Sequence, residues 1–167
     1  MEVALHDVQH IYAKVIDNAN PIQKLVNDLV AEYCGALDSY MSQVDETLCK
    51  NADIPTRQLE DMLMNINSLL YWAGNGLEEA TVKESIAKMV KEEQYNKEYA
   101  IAEGTMGDKK ASALLNSQNE ELVKVCFSNA VKLYQHKIDR AGEMSSALKK
   151  IITHRISDEQ IGRIEIR

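Results

Sequence analysis

The apolar residues of this chain recur at helical spacing almost throughout. Leu5, Val8, Tyr12 and Val15 fall three or four apart, which predicts a helix over residues 2–17. Asn18-Ala19-Asn20-Pro21 then reads as a break, with Asn20 suited to an N-cap and Pro21 to the first turn of a new helix. From Pro21 to about Lys50 a broad apolar face runs through Leu25, Leu29, Tyr33, Leu37, Tyr40, Val44 and Leu48. Its length suits a bundle or coiled-coil element, and Asn51 to Pro55 ends it. A third helix starts near Thr56 with Leu59, Met62, Leu63, Ile66, Leu69 and Leu70 on its apolar side. Gly74-Asn75-Gly76 is placed to bend or interrupt it, because glycine costs about 1 kcal/mol in a helix interior relative to alanine. The pattern resumes at Leu77, Ala80 and Ile86 and runs through Tyr95 and Tyr99.

A turn over Glu103 to Asp108, carrying Gly104 and Gly107, precedes the last long helix, expected from about Asp108 to Arg155. There Phe127, Tyr134, Ala141 and Leu148 recur every seven residues. Val123, Ala130, Met144 and Ile151 form a companion series with Lys137 as its one defect. Two such series over four heptads predict a coiled-coil seam and, with it, a homo-oligomer. After Ile156, Ser157-Asp158-Glu159 suits a new cap, and Ile164-Glu165-Ile166-Arg167 alternates apolar and charged residues. A short helix, an edge strand and a mobile tail all stay open there. The expected fold class is all-α: an elongated, oligomeric helical hairpin or bundle with long coiled-coil-like helices. One helical domain would span residues 1–156, with acidic helices over 1–80, a long hairpin over 81–156, and a tail at 157–167.

Composition agrees with this reading. The 167 residues are 45% hydrophobic with only two prolines, and aromatics are too few for an ordinary β-sandwich. No apolar run approaches the roughly 18 residues of a membrane span. The start Met1-Glu2-Val3 lacks the basic and apolar stretches of a secretory signal. Cys34, Cys49 and Cys126 are odd in number and far apart, which suits reduced thiols, so a cytoplasmic location is expected. The net charge of −7 is uneven: residues 1–80 hold 4 basic and 13 acidic side chains, whereas residues 122–156 hold 7 basic and 2 acidic. That leaves room for a local cationic stripe, or for acidic and basic halves that pack between chains.

Catalytic patterns are missing. His6 and His10 stand one helical turn apart, a spacing that can hold a metal, but no third ligand is evident and a pair of surface histidines is the simpler reading. No Glu-x-x-Glu pair offers the facing carboxylates a Mg²⁺-dependent nucleotide hydrolase needs. Cys34 and Cys126 lie on or near apolar stripes and read as inert core thiols. The segment Gly104–Gly107 lacks the spacing of a phosphate loop. The chain therefore reads as a non-enzyme without a cofactor. Its most distinctive feature is basic and aromatic together: Lys88, Lys91, Tyr95, Lys97 and Tyr99 approach the Gly104 turn, and Lys109 and Lys110 leave it. Single-stranded nucleic acid is held by such cations and aromatic faces. Glu92, Glu93 and Glu98 lie among them, and the residues alone favour a solvated helix face with two core tyrosines. Lys149, Lys150, His154 and Arg155 form a second basic cluster, which also suits the negative end of a helix dipole.

The stretch from about Tyr95 to Arg155 resembles the UvsY family of phage recombination mediators. The residues that carry the resemblance are Tyr99-Ala100-Ile101-Ala102-Glu103-Gly104, then Ala113-Leu114 and Glu120-Glu121-Leu122. Ser146-Ala147-Leu148-Lys149-Lys150-Ile151-Ile152-Thr153-His154-Arg155 completes it. The resemblance implies a ring-forming helical oligomer, without catalytic activity, that binds single-stranded DNA. It also implies work beside a RecA-like recombinase and a single-strand-binding protein, in a bacterial host cell. The basic pair that contacts DNA in that family has its nearest positions here at Lys91 and Lys97, while the family's adjacent aromatics are separated here as Tyr95 and Tyr99. The other reading is a helical scaffold, adaptor or inhibitor that acts through protein–protein contact.

Overall fold

The computed structural model describes the backbone of residues 2–50 and 53–165, and the side chains of 20–21, 23–50, 53–158 and 160–161. The chain is all-α, with helix over 94% of it. Among the described residues four helices follow in order: α1 (Glu2–Lys50), α2 (Thr56–Ile101), α3 (Met106–Asn116) and α4 (Gln118–Glu165).

Three local expectations are corrected. The break at Asn18–Pro21 is absent, and α1 runs through Pro21. Proline there removes the N–H that would otherwise donate to the Asp17 carbonyl, and Pro21 itself is solvent-exposed. The Gly74–Gly76 segment does not interrupt α2. Gly76 is instead a close-packing position: a Cβ there would stand 2.6 Å from Tyr33 Cγ and 2.8 Å from Tyr134 Cε1. The single helix expected from Asp108 to Arg155 is two, because Ser117 leaves the helical backbone with ψ at 16°. The joint keeps its hydrogen bonds. The Ser117 N–H donates to the Ala113 carbonyl at 3.1 Å, and the Ser117 carbonyl accepts from the Glu121 N–H at 3.1 Å. The polar run Asn116–Asn119 contains weak helix formers, which places the joint there. At the other end α4 continues to Glu165, so the tail is helical through that residue; Ile166 and Arg167 lie outside the described residues.

The turn between α2 and α3 is set by local chemistry. Gly104 has φ at +103°, a left-handed conformation that favours glycine. Thr105 then caps α3: its hydroxyl accepts from the Asp108 N–H at 3.4 Å, and the Thr105 N–H donates to the Asp108 carboxylate at 3.0 Å. This reciprocal capping box satisfies two donors that a helix start otherwise leaves open.

Internal contacts divide the chain into two compact units, and α1, α2 and α4 contribute segments to both. Unit 1 takes Met1–Leu29 and Glu78–Lys132; unit 2 takes Val30–Leu77 and Leu133–Arg167. Unit 2 is a three-helix bundle with one apolar seam per helix. Val30, Cys34, Leu37, Met41 and Val44 come from α1, and Leu59, Met62, Ile66 and Ala73 from α2. The third seam is Tyr134, Ala141, Leu148 and Ile152 of α4. The α1 seam steps by three and four, and the α2 and α4 seams by three, four or seven, the spacing that interlocks parallel and antiparallel helices alike. Full burial of one Leu or Ile side chain is worth about 1.5–3 kcal/mol. Polar bonds fix the register: Asn65 Nδ2 donates to the Tyr40 hydroxyl at 3.0 Å, Ser145 Oγ to Asn67 Oδ1 at 2.9 Å, and Lys137 Nζ to the Asp38 carboxylate. Unit 1 buries Val26 and a set of small residues, Ala80, Ala87, Ala113, Ser117, Cys126 and Ala130. It is tied across α2 and α4 by the Lys91–Glu121 ion pair at 2.8 Å and the Ser128–Glu84 hydrogen bond.

Candidate nucleic-acid interface

A helix turns about 100° per residue, so Lys88, Lys91, Tyr95 and Tyr99 share one face of α2 whereas Lys97 points to the opposite side. The two tyrosines, one turn apart, stack with ring centroids 6.3 Å apart and planes inclined by 22°. Both rings are half-buried, and Lys88 on the same face is exposed. Lys109 and Lys110 are the fourth and fifth residues of α3, placed there by the Gly104 turn and the Thr105 cap. All seven residues belong to unit 1.

The cations differ in how freely they act. Lys91 is held by Glu121, whose hydrogen bond raises the lysine's pKa. Glu121 also takes Lys124 at 3.0 Å, and the two lysines hold its carboxyl below the usual range. Lys91 thus ties α2 to α4 instead of standing free for a phosphate. Lys97 pairs with Glu93 at 2.6 Å on an open surface, both side chains about two-thirds exposed; such pairs are weak and screened by salt. Glu98, which lies near the tyrosine face, accepts from Asn116 at 2.7 Å and from Gln94 at 3.0 Å. Among the described residues Lys88, Lys109 and Lys110 form no ion pair. No family model, curated protein or solved structure matches this chain.

The second basic cluster is in unit 2. Lys149 and Lys150 are exposed on α4. Arg155 braces the fold: its guanidinium donates to the carbonyl of Ile54, whose buried side chain anchors the connection between α1 and α2. The structure therefore places the expected DNA-contact residues in two separate units, with Lys91 and Arg155 engaged by the chain itself.

The expected self-association seam on α4 is largely used up inside the chain. Ala130, Tyr134, Ala141 and Leu148 are fully buried; Val123, Phe127 and Met144 are half-buried, and only Ile151 is exposed. The heptad period was a correct sign of a helical seam, but in unit 2 the chain's own α1 and α2 supply the facing helices. A surface that the heptad reading missed lies on α2, where Val82, Ile86, Met89 and Val90 face solvent. Their spacing of four, seven and eight residues was visible in the sequence.

Other candidate chemistry gains no geometry. The side chains of His6 and His10 lie outside the described residues. Among the described residues no three His, Cys, Asp or Glu side chains gather as a metal site would. Burial pushes the Cys34 thiol up to about 11 and also raises that of Cys126, which makes both poor nucleophiles. Among the described residues no helix is long and apolar enough to cross a membrane.

Proposed function

We propose that this chain is a non-enzymatic, self-associating protein that binds single-stranded DNA and assists the loading of a RecA-like recombinase against a single-strand-binding protein. The observation that carries the reading is the stacked Tyr95–Tyr99 pair on the same face of α2 as exposed Lys88. Lys109 and Lys110 follow immediately after the turn. Aromatic faces accept bases regardless of sequence, and ammonium groups without carboxylate partners accept phosphates. The resemblance of residues 95–155 to the UvsY family supplies the recombination context. Lys97 contributes by exchanging Glu93 for phosphate from the opposite side of α2, and Lys91 acts only by holding α2 in place.

Fluorescence anisotropy with a labelled oligothymidylate tests this. Binding is expected at low salt and should fall steeply as salt rises, because each phosphate contact releases counterions. Lys88→Glu with Lys110→Glu should flatten the salt slope by about one unit per lost contact. Tyr95→Ala should weaken binding by roughly 1–3 kcal/mol. No binding to a long oligonucleotide at low salt refutes the reading.

A second reading, a helical scaffold or adaptor that acts through protein contact alone, is favoured by the solvent-facing apolar stripe on α2. It predicts a defined assembly whose size and stability ignore added oligonucleotide.

A further inference from the structure

Unit 1 distributes its apolar side chains unlike unit 2. Among the described residues of unit 1 the buried positions other than Val26 are small residues, whereas Val82, Ile86, Met89 and Val90 keep 49–61% of their surface in water. Those four form one stripe on α2. The stripe borders an open groove of about 290 Å³ walled by Ile86, Ala87, Val90, Val123 and Phe127, with Lys83 and Glu120 at its ends. Helices α2 and α4 run antiparallel here, since Lys91 meets Glu121 and Glu84 meets Ser128. Lys83 therefore stands at the Phe127 end and Glu120 at the Val90 end. The Glu120 Oε2 atom is buried and has no hydrogen-bond partner among the described residues.

We propose that this face binds the same face of a second copy of the chain, about a two-fold axis that lies in the contact plane and crosses the groove near Ile86. That operation sets Ile86 against Ile86 and Val82 against Val90. It also brings Lys83 of one copy, which pairs with Glu79 of its own chain at 2.6 Å, to the groove end that holds Glu120 of the other copy. A groove with opposite charges at its two ends is complementary to itself only in this antiparallel sense. The four stripe residues together expose on the order of 400 Å² of apolar surface, the size of the largest patch on an ordinary monomer, which is often a functional one. That is about half of what each member of a stable pair buries, the remainder coming from a polar rim. The inference rests on the self-association in the proposed function and supplies a surface that the buried α4 series does not.

The test uses the full chain in sedimentation velocity across micromolar concentrations, with cross-linking as a second measurement. The wild type is expected to dimerise reversibly. Ile86→Glu should raise the apparent dissociation constant at least about tenfold, since it places two carboxylates at the centre of an apolar contact. Ile86→Cys in a Cys49→Ser background should form a disulfide-linked dimer on mild oxidation, and Gln43→Cys in the same background should not. A monomer at every concentration overturns both this inference and the self-association in the proposed function. An assembly that persists in Ile86→Glu and gives no Ile86→Cys cross-link overturns this interface alone. An intrachain link from Ile86→Cys to Val8→Cys assigns the groove to the chain's own α1 and overturns the inference as well. Where Ile86→Glu loses helix by circular dichroism, the cross-link decides.

Discussion

Two glycines on one helix, two residues apart, should respond to alanine with opposite signs. At Gly74 nothing stands within 4 Å of an added Cβ, so Gly74→Ala keeps only the gain in helix propensity, about 0.5–1 kcal/mol of stabilisation. At Gly76 the new carbon would lie 2.6 Å from Tyr33 Cγ, 2.7 Å from Tyr33 Cβ and 2.8 Å from Tyr134 Cε1. Carbon atoms pack at about 3.5–4.0 Å, so these neighbours must retreat by about 1 Å. The Tyr33 atoms are the root of its side chain and cannot swing aside, and Tyr134 is fully buried. Overpacking of this kind costs about 1–3 kcal/mol, which exceeds the propensity gain, and Gly76→Ala should be destabilised by about 1–2 kcal/mol. The pair should differ by roughly 4–10 °C in melting temperature for a chain of this length. Trp72, the only tryptophan, lies in unit 2 with its ring 5.5 Å from that of Tyr33. Its fluorescence in urea titrations, beside circular dichroism, therefore reads the packing in question. Gly76→Ala as stable as Gly74→Ala would refute the close-packing argument.

Arg155→Met leaves the buried Ile54 carbonyl without its guanidinium donor and should cost about 1–3 kcal/mol in urea unfolding. The same variant should leave oligonucleotide affinity unchanged, whereas a tenfold loss of affinity without loss of stability would mark Arg155 as a DNA contact. Thr105→Ala should speed amide exchange across the first turn of α3 roughly fivefold, the effect of one lost cap. Hydrogen bonds from Thr105 hold the Asp108 carboxyl below its ordinary value of 3.8. Its contribution is therefore complete above that pH and fades as pH falls further, through the folded value, and Thr105→Ala should flatten this acid limb in exchange measurements. Of the three thiols only exposed Cys49 should react rapidly with a disulfide reagent at mildly alkaline pH. Buried Cys34, with its thiol near 11, and buried Cys126 should wait for unfolding.

The helical class was plain from the spacing of Leu, Val, Ile and Met, and the turn at Gly104 was legible because few residues other than glycine accept its backbone. The misreadings share a cause. Pro21 and Gly74–Gly76 carry strong local signals for a break, yet helix continuity is decided by what packs around the segment: Pro21 is solvent-exposed, and two tyrosines require Gly76. Ser117 shows the converse, a joint made by one modest residue inside an otherwise helical pattern. Heptads announce that a seam exists but not whose helix fills it, which is why the buried α4 series read as an oligomer contact. Lys91 and Arg155 could not be told from free cations, because Glu121 and the Ile54 carbonyl become neighbours only when the chain folds.

The interleaved make-up of unit 2 has a consequence during synthesis. Asp38 and Lys137, which bond to each other, are 99 positions apart in the chain. At ribosomal speeds of roughly 5–20 residues per second, the α1 seam waits roughly 5–20 s for its third wall. Throughout that interval Leu37, Met41 and Val44 have only a nascent hairpin with α2 to shelter them. The emerging polypeptide is then a natural client for a holdase, and a pause in translation before residue 133 would lengthen the exposure without altering one atom of the finished protein.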